Sequence, residues 1–324
     1  MLVERKEIEK LLVLTAAIES GLIDALDGGA KTAEEVALAA STDERATRIV
    51  LDALVDVGAV DSDDGDDGGR QSYRLSAEGR RRLLDPGLDL ERNSLLHQAN
   101  KARGWLELPQ VLKQGKPKQR ERSAGGLRTF VRTMAEGAPQ AMDEVVDRVL
   151  AYSREGIPEK PLTLLDAGGA VGHMARRFKA RGVEATLCDR PEVLEEAWEY
   201  QGEGAAQLNF HPCDFTEQLP PGPFDVIYLG NVYHIYGPGT NAEVTRMVFD
   251  SLGPGGSIAI RDFVLGRSTR APMFAVNMLQ ATAEGGVWRE SQYREWLTEA
   301  GFEDIRIIDL EHADNQLIFG RRPV

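Results

Sequence analysis

The second half of the sequence alternates candidate strands with segments of helical periodicity, and this alternation restricts the folds open to the chain. The candidate strands of this region are Leu162–Ala167, Glu184–Cys188, Leu208–His211, Phe224–Leu229 and Ser257–Val264. Strands that alternate with helices form parallel sheets with crossover helices. The last two runs, Ile305–Leu310 and Gln316–Phe319, follow each other closely and predict an antiparallel hairpin. We therefore expect an α/β fold with a doubly wound, Rossmann-like sheet and an antiparallel final hairpin.

The residues before this region are mostly helical in pattern. A first helix carries Ile8, Leu11, Leu12 and Ile18 at helical spacing. The segment Thr32-Ala-Glu-Glu35 predicts a capping box that opens the next helix, because the two side chains can satisfy each other's free backbone donors. A further helix and a hairpin with a tip rich in aspartate and glycine follow. This order predicts a winged helix.

The expected domain boundary lies after a long helical stretch. The pattern continues as one helix from Leu90 to Leu112, and more helices follow. Gly156 and Pro158 then interrupt regular structure, as glycine and proline commonly do. We expect a helical domain over residues 1–152 and the α/β domain over residues 153–324.

The charge balance argues against a nucleic-acid partner. Acidic residues outnumber basic ones, 52 to 38, which gives a formal net charge of −14. A protein that binds nucleic acid needs a basic face to neutralise phosphates. Five aspartates lie between residues 61 and 67, at the tip of the expected hairpin, where they would repel phosphate. We therefore interpret the winged helix as a dimerisation and lid module.

Membrane, metal and disulfide signals are weak. No apolar run approaches the roughly 18 residues that span a bilayer, so we expect no membrane partner. Glu4, Glu7 and Glu9 precede the N-terminal apolar stretch, where a signal peptide would have a positively charged region. Cys188 and Cys213 are too few for a disulfide framework and suggest a reducing compartment, which predicts a cytoplasmic protein. No spacing among His, Cys and acidic residues resembles a closed metal site, and no metal is expected.

A glycine turn follows the first strand of the α/β region. In Leu164-Leu-Asp-Ala-Gly-Gly-Ala-Val-Gly-His173 the strand runs into Gly168 and Gly169, and Gly172 lies in the first turn of the next helix. Glycines let a ligand approach the backbone at the carboxyl ends of the strands, where open α/β sheets bind ligands. Asp189 closes the next strand and can accept hydrogen bonds from ribose hydroxyls. These features indicate a nucleotide-like cofactor.

Two details favour a sulfonium cofactor over a dinucleotide. The glycine spacing is not the G-x-G-x-x-G that holds a pyrophosphate. Asp166 would place a carboxylate close to those phosphates, whereas it would attract the ammonium and sulfonium groups of S-adenosylmethionine (SAM). The alternative interpretation of Asp166 is a turn aspartate bonded to its own backbone. An NAD-dependent oxidoreductase is accordingly disfavoured.

Four segments carry a resemblance to a known family that covers nearly the whole chain. They are Leu165–Gly172, Cys188-Asp-Arg-Pro191, Cys213-Asp-Phe215 and Asn231-Val-Tyr-His-Ile-Tyr236. They are similar to the glycine-turn, ribose, adenine and histidine motifs of class I SAM-dependent O-methyltransferases that carry an N-terminal winged-helix dimerisation domain. Ala170 occupies the third glycine position of the turn.

The resemblance implies SAM as the cofactor, with S-adenosyl-L-homocysteine as its product, a homodimer, and a small aromatic or polycyclic molecule as the methyl acceptor. Asp214 would meet the adenine amine, and Phe215 its face. Taken with the glycine-turn argument, the expected cofactor contacts are Asp166, Gly168, Gly169, Gly172, Asp189, Arg190, Asp214, Phe215, Asn231 and Tyr236.

The same resemblance implies the catalytic and acceptor residues. His234 falls at the position of the catalytic base, with Asp262 as its acidic partner. A phenol with a pKa of about 10 is scarcely ionised at neutral pH, and a histidine with a pKa of about 6.5 can accept its proton. The expected acceptor contacts are Phe130, Met134, Asn277 and Met278.

Two positions depart from the family pattern. Ile235 replaces the aspartate that follows the histidine in the family. Val287 replaces the glutamate that the family often carries before the last-but-one helix, and Glu290 is nearby but out of register. These departures leave open a carbon or nitrogen acceptor on the same scaffold, or a SAM-binding winged-helix regulator without catalysis.

Overall fold

The chain divides into two units, residues 1–103 and 104–324. The computed structural model describes residues 5–63, 70–84, 89–118, 139–155, 157, 160–202 and 208–324. Helices dominate the first unit, and a seven-stranded sheet lies at the centre of the second.

The first unit is a winged helix, as the sequence predicted. Its helices are α1 (Arg5–Glu19), α2 (Leu22–Ala25), α3 (Ala33–Ala40), α4 (Glu44–Asp56), α5 (Ala77–Leu83) and α6 (Asp89–Trp105), the last of which crosses into the second unit. Its strands are β1 (Lys31–Thr32), β2 (Val60–Asp63) and β3 (Ser72–Leu75), which pair antiparallel in the order β1-β3-β2.

Local capping positions the helices of this unit. The Thr32 hydroxyl accepts from the backbone N–H of Glu35 at 3.3 Å, and the Glu35 carboxylate accepts from the Thr32 N–H at 2.7 Å, which confirms the predicted capping box. The Asp43 carboxylate caps α4 by accepting from the N–H of Ala46 at 2.9 Å. Each cap satisfies backbone donors that have no partner within the helix.

The prediction of a single helix from Leu90 to Leu112 is wrong. Helix α6 ends at Trp105, and a separate helix, α7 (Leu108–Gln114), begins three residues later. Pro109 explains the break, because in a continuous helix its ring would clash with the carbonyl group of Trp105, four residues earlier. In the first turn of α7 the proline displaces no hydrogen bond.

The second unit contains the predicted doubly wound sheet. Its remaining helices are α8 (Pro139–Arg154), α9 (His173–Ala180), α10 (Pro191–Gln201), α11 (Pro238–Ser251), α12 (Ala271–Ala281) and α13 (Glu290–Ala300). Its strands are β4 (Thr163–Ala167), β5 (Glu184–Asp189), β6 (Asn209–Pro212), β7 (Phe224–Gly230), β8 (Leu252–Asp262), β9 (Glu303–Asp309) and β10 (Gln316–Arg321).

The strand order is β6-β5-β4-β7-β8-β10-β9. The pairs from β6 to β8 are parallel, whereas β10 pairs antiparallel with both β8 and β9. The final hairpin is therefore antiparallel, as expected, and its second strand is inserted between β8 and β9. The carboxyl ends of β4, β5, β7 and β8 share one edge of the sheet.

Apolar side chains cover both faces of the sheet. Helices α8, α9 and α10 pack on one face, and α11 and α13 pack on the other. Val145, Val149 and Tyr152 of α8 are buried in the first of these layers. Because α8 packs on the sheet, it belongs to the second unit. The two units divide after residue 103, before the boundary at 152/153 that the sequence suggested.

Cys188 and Cys213 form a disulfide, and no free cysteine is left among the described residues. Strand β5 pairs in parallel with β6 so that Cys188 lies opposite His211, and Cys213 follows two residues later with a Cα–Cα distance of 6.0 Å. The sequence analysis expected two cysteines in a reducing compartment and did not predict this disulfide. The two cysteines approach each other only because β5 and β6 are neighbours in the sheet.

Within the described part of the chain, no helix combines the length and the apolar composition needed to cross a bilayer.

Candidate active site

The glycine turn at the end of β4 requires glycine for two reasons. Gly168 and Gly172 both have a φ of +73°, a left-handed conformation that side chains disfavour. A Cβ atom on Gly168 would also lie 2.9 Å from both Phe215 and Val232. The N–H of Gly172 donates to the carbonyl oxygen of Gly169 at 2.9 Å and closes the turn. The turn thus brings backbone close to the side chains at the neighbouring strand ends.

Asp166 is buried at the base of this turn. Its Oδ2 atom accepts from the backbone N–H of Ala175 in α9 at 3.0 Å, so the carboxyl ties the helix to β4 rather than capping its own turn. Burial and, to a smaller extent, the negative charge of Asp189 raise the pKa of Asp166 to about 7, although the hydrogen bond from Ala175 opposes the increase.

Asp189 joins the glycine turn to the end of β5. Its Oδ2 atom accepts from the N–H of Ala170 at 2.9 Å, and its Oδ1 atom accepts from the N–H of Arg190 at 2.8 Å. Burial raises the pKa of Asp189, while these two hydrogen bonds oppose the increase. The Arg190 side chain is exposed and lies 3.3 Å from the carboxylate of Glu192.

Two aromatic rings contact each other edge to face beside the turn. Phe215 and Tyr236 have centroids 5.7 Å apart and stand perpendicular. Asp214, next to Phe215, accepts from the N–H of Thr216 at 2.9 Å and from its hydroxyl at 2.6 Å. Burial, together with the negative charge of Asp214, raises the pKa of Tyr236 to about 12. Three predicted adenosine contacts therefore lie together.

Asn231 lies at the end of β7 in a left-handed conformation with a φ of +59°. Its N–H donates to the carbonyl oxygen of Arg261 at 2.8 Å, and its Oδ1 accepts from the Asn315 side chain at 3.3 Å. Asn231 itself is exposed.

His234 lies in a 3-10 turn, Tyr233–Ile235, that follows β7. Its Nδ1 is 2.7 Å from Oδ1 of Asp262, and its backbone N–H donates to Oδ2 of Asp262 at 3.1 Å. Asp262 ends β8, is fully buried and also accepts from the N–H of Phe263. A carboxylate at Nδ1 favours the tautomer that carries its proton there, which leaves Nε2 as a hydrogen-bond acceptor.

Asp262 is the carboxylate that the described part of the chain places against His234. Val287, at the second acidic position of the family, is buried against Phe263 and Ala271. Glu290 accepts instead from Arg267 and Arg294, each at 2.9 Å.

Helix α12 supplies an apolar wall beside His234. The Phe274 ring stands edge-on to the imidazole at a centroid distance of 4.8 Å and contacts Phe263 at 4.6 Å. Met278, one turn further along, is buried, and Asn277 accepts from the Trp105 indole at 3.3 Å. The predicted acceptor residues Phe130 and Met134 lie outside the described residues.

Sequence reasoning missed Arg261 and Asn315 at the same edge of the sheet and placed His173 only at the lining of the cofactor site. The Arg261 guanidinium donates to the Asn315 side chain at 3.2 Å, and buried atoms of Arg261 and His173 have no hydrogen-bond partner among the described residues. The signal was a charged pair, Arg261-Asp262, that interrupts an otherwise apolar strand.

The residues at this edge fit an adenosine cofactor with a cationic side chain. The glycine turn allows close approach, Asp189 offers carboxylate oxygens, and Phe215 and Tyr236 offer aromatic surface. Among the described residues, no three His, Cys, Asp or Glu side chains are grouped to hold a metal ion.

Two family models match the chain. A model described as an O-methyltransferase domain matches residues 115–303, and one described as an O-methyltransferase dimerisation domain matches residues 10–84. The dimerisation model falls within the first unit and the O-methyltransferase model within the second.

Relatives and solved structures match nearly the whole chain. The tetracenomycin polyketide synthesis 8-O-methyl transferase of Streptomyces glaucescens is 28% identical and aligns over 96% of this chain and 92% of that protein. The mitomycin biosynthesis 6-O-methyltransferase of Streptomyces lavendulae is 26% identical, over 94% of this chain and 91% of that protein. The crystal structure of human N-acetylserotonin methyltransferase in complex with SAM has a TM-score of 0.76 at 22% identity, over 98% of this chain and 94% of that chain, and shares the fold.

Proposed function

The chain belongs to the O-methyltransferase family, as the sequence motifs predicted, and on this premise we propose that it methylates a hydroxyl group of a small aromatic or polycyclic molecule, with His234 as the general base. Methyl transfer to oxygen from SAM is the activity of the family. The acceptor class, the base and the individual cofactor contacts given above are the proposed parts.

The contact between His234 and Asp262 carries the proposal. When bound, SAM supplies a methyl group on a positively charged sulfonium sulfur. The Nε2 atom of His234 would accept the proton of the acceptor hydroxyl as the methyl group leaves the sulfonium sulfur, which becomes the neutral thioether of S-adenosyl-L-homocysteine. Asp262 holds the imidazole through Nδ1 and stabilises the imidazolium that results. A positioned base of this kind contributes typically 10²–10⁴-fold to the rate.

The surroundings of His234 support an aromatic acceptor. The Phe274 ring contacts the imidazole, and Phe263 contacts Phe274. Met278, one turn further along α12, is buried and adds apolar surface to this helix. Aromatic rings prefer edge-to-face contacts with other rings, and methionine adapts to irregular shapes. The relatives named for polyketide and mitomycin biosynthesis fit the same acceptor class. Phe130, Met134 and Asn277 complete the proposed acceptor set.

The proposed assembly is a homodimer. A dimerisation domain matches residues 10–84. In α1, Ile8 and Leu12 are 49% and 52% exposed, whereas Leu14 and Ile18 are buried in the core of their own unit. An apolar stripe that faces outward supports a partner surface, because burying it would remove apolar area from water.

One departure favours a second candidate, an acceptor that needs less help from a base. Val287 replaces the second carboxylate of the family, so one acid instead of two supports His234. An amine or carbon nucleophile on the same scaffold would fit this reduced support.

A comparison of His234→Ala with His312→Ala tests the proposal after an acceptor screen. His312 is exposed and serves as the matched control. We expect His234→Ala to lower kcat by about 10²–10⁴-fold with nearly unchanged SAM affinity by calorimetry, because the ring contacts the acceptor and not adenosine. A loss below about tenfold with the best acceptor would favour the amine or carbon candidate.

A further inference from the structure

Arg261 is a cation on the sheet face opposite to His234. Successive residues of a strand point to opposite faces, and Asp262, the next residue, contacts His234. Arg261 therefore points toward the layer that contains α9. Its guanidinium donates to Asn315 at 3.2 Å and lies beside the Tyr228 hydroxyl on β7.

The charge of Arg261 has no carboxylate partner within the described residues. Several other arginines of this unit pair with a carboxylate, such as Arg177 with Asp143 at 2.9 Å and Arg267 with Asp309 at 2.8 Å. The Nε atom of Arg261 is buried and has no hydrogen-bond partner in the described part of the chain. A buried donor on a charged group without a partner is costly, and so the arrangement suits an anionic ligand.

His173 marks where that anion would lie. It is the first residue of α9, directly after the glycine turn, and its Nδ1 atom is buried without a hydrogen-bond partner among the described residues. Burial, together with the positive charges of Arg261 and Arg177, lowers the pKa of His173 to about 4. At neutral pH His173 is therefore an uncharged hydrogen-bonding group, and Arg261 is the cation that remains beside it.

We propose that Arg261 binds the α-carboxylate of the methionine part of SAM. This inference rests on the proposed SAM site. The planar guanidinium matches a carboxylate in geometry and can donate two parallel hydrogen bonds. Asn315 orients the guanidinium, and the unpartnered His173 nitrogen offers a further contact.

The position in the sheet agrees with the shape of the ligand. Asp189, the proposed ribose ligand, ends β5, and Arg261 lies near the end of β8, on the other side of β4 and β7. Three strand spacings of about 4.8 Å separate β5 from β8. The long Arg261 side chain crosses part of this distance, because it reaches Tyr228 on β7. The ribose and the carboxylate of an extended SAM molecule would thus meet residues on opposite sides of the glycine turn.

Calorimetric titration with SAM and with decarboxylated SAM tests the proposal, because the two ligands differ only in the carboxylate. The variants are Arg261→Met, Arg261→Lys and the control Arg177→Met, whose arginine is paired with Asp143. We expect Arg261→Met to weaken SAM binding by about 10- to 100-fold and to change the affinity for decarboxylated SAM by less than about threefold. Arg261→Lys should restore part of the loss, and Arg177→Met should weaken both ligands equally or not at all.

The remaining outcomes separate this proposal from others. Equal losses for both ligands in a folded Arg261→Met protein would overturn it, because they would show a structural role. Unchanged affinity for both ligands, with a raised KM for a carboxylated acceptor, would also overturn it and would assign the cation to the acceptor. A wild-type protein that binds neither ligand would instead refute the SAM site on which the inference rests. Circular dichroism checks that each variant is folded, and Arg261→Lys provides the test if Arg261→Met is not.

Discussion

Asp262 contacts His234 at two points, through one carboxylate oxygen 2.7 Å from the imidazole Nδ1 and the other 3.1 Å from the backbone nitrogen. The two contacts fix both the ring and the turn that carries it. Because Asp262 ends β8 and His234 follows β7, the pairing of two parallel strands sets the position of the proposed base.

The first prediction concerns Asp262→Asn. Asparagine keeps the shape of the side chain but cannot stabilise an imidazolium, so we expect kcat to fall by about 10²-fold or more, within the range of general-base effects. SAM affinity should stay nearly constant. Glu290→Gln is the control, since Glu290 contacts Arg267 and Arg294, and a similar loss of kcat in that variant would contradict the role of Asp262.

The second prediction concerns the proposed ribose contact. Asp189→Ala should weaken SAM binding by at least about tenfold, because hydrogen bonds to a charged group contribute about 1.5–3 kcal/mol each. Calorimetry with SAM measures the loss. Glu192→Ala, an exposed carboxylate three residues away, should leave the affinity unchanged. Since Asp189 also holds Ala170 in the turn, thermal unfolding of the variant separates a lost contact from a lost fold. Unchanged affinity in a folded variant would rule out the ribose assignment.

Features that depend on local pattern could be predicted from the sequence. The Thr32 capping box, the strand that ends at the glycine turn and the final hairpin all follow from residues close together in the chain. The convergence of Gly168, Asp189 and His234 at one edge also follows, because the carboxyl ends of parallel strands lie together.

Features that depend on packing between distant segments could not be predicted. The approach of Arg261 to His173 depends on which face of β8 lies against α9. The Cys188–Cys213 disulfide depends on the register of β5 with β6. Pro109 signals a break between helices, but the sequence analysis predicted one helix because the apolar periodicity is helical on both sides of the proline. Periodicity reports which face is buried and not where one helix ends and another begins.

The third prediction follows from the buried Asp166. Its pKa of about 7 lies above the ordinary value of 3.8, so the folded protein retains a proton that the unfolded chain releases. The resulting contribution to the free energy of unfolding is fully present below about pH 4 and decreases as the pH rises to about 7. Asp166→Asn should remove this slope in thermal unfolding between these pH values, because asparagine does not ionise. Its amide oxygen can still accept from the N–H of Ala175, so the link between α9 and β4 is kept. A slope that persists unchanged would contradict the raised pKa.

The fourth prediction links the same group to the cofactor. If Asp166 contacts the cationic part of SAM, binding favours the carboxylate and releases a proton near pH 7. Titrations in two buffers of different ionisation enthalpy should then give different observed enthalpies, and SAM should bind more tightly as the pH rises through 7. In Asp166→Asn the buffer dependence should disappear. No proton release in the wild type would leave Asp166 with the role of tying α9 to β4.

The last prediction concerns the outward stripe of α1. Ile8 and Leu12 are spaced by four residues and are about half exposed, so they lie on one face of the helix, away from the buried Leu14. A charge on this face would have to be desolvated in a dimer interface but would stay in water in a monomer. The double variant Ile8→Lys/Leu12→Lys should therefore sediment as a monomer at micromolar concentrations where the wild type is a dimer, with its thermal unfolding little changed. Leu38→Lys, which changes an 83% exposed leucine of α3, is the matched control and should remain dimeric. A wild-type monomer under these conditions would contradict the proposed homodimer, and a dimeric double variant would move its interface away from α1.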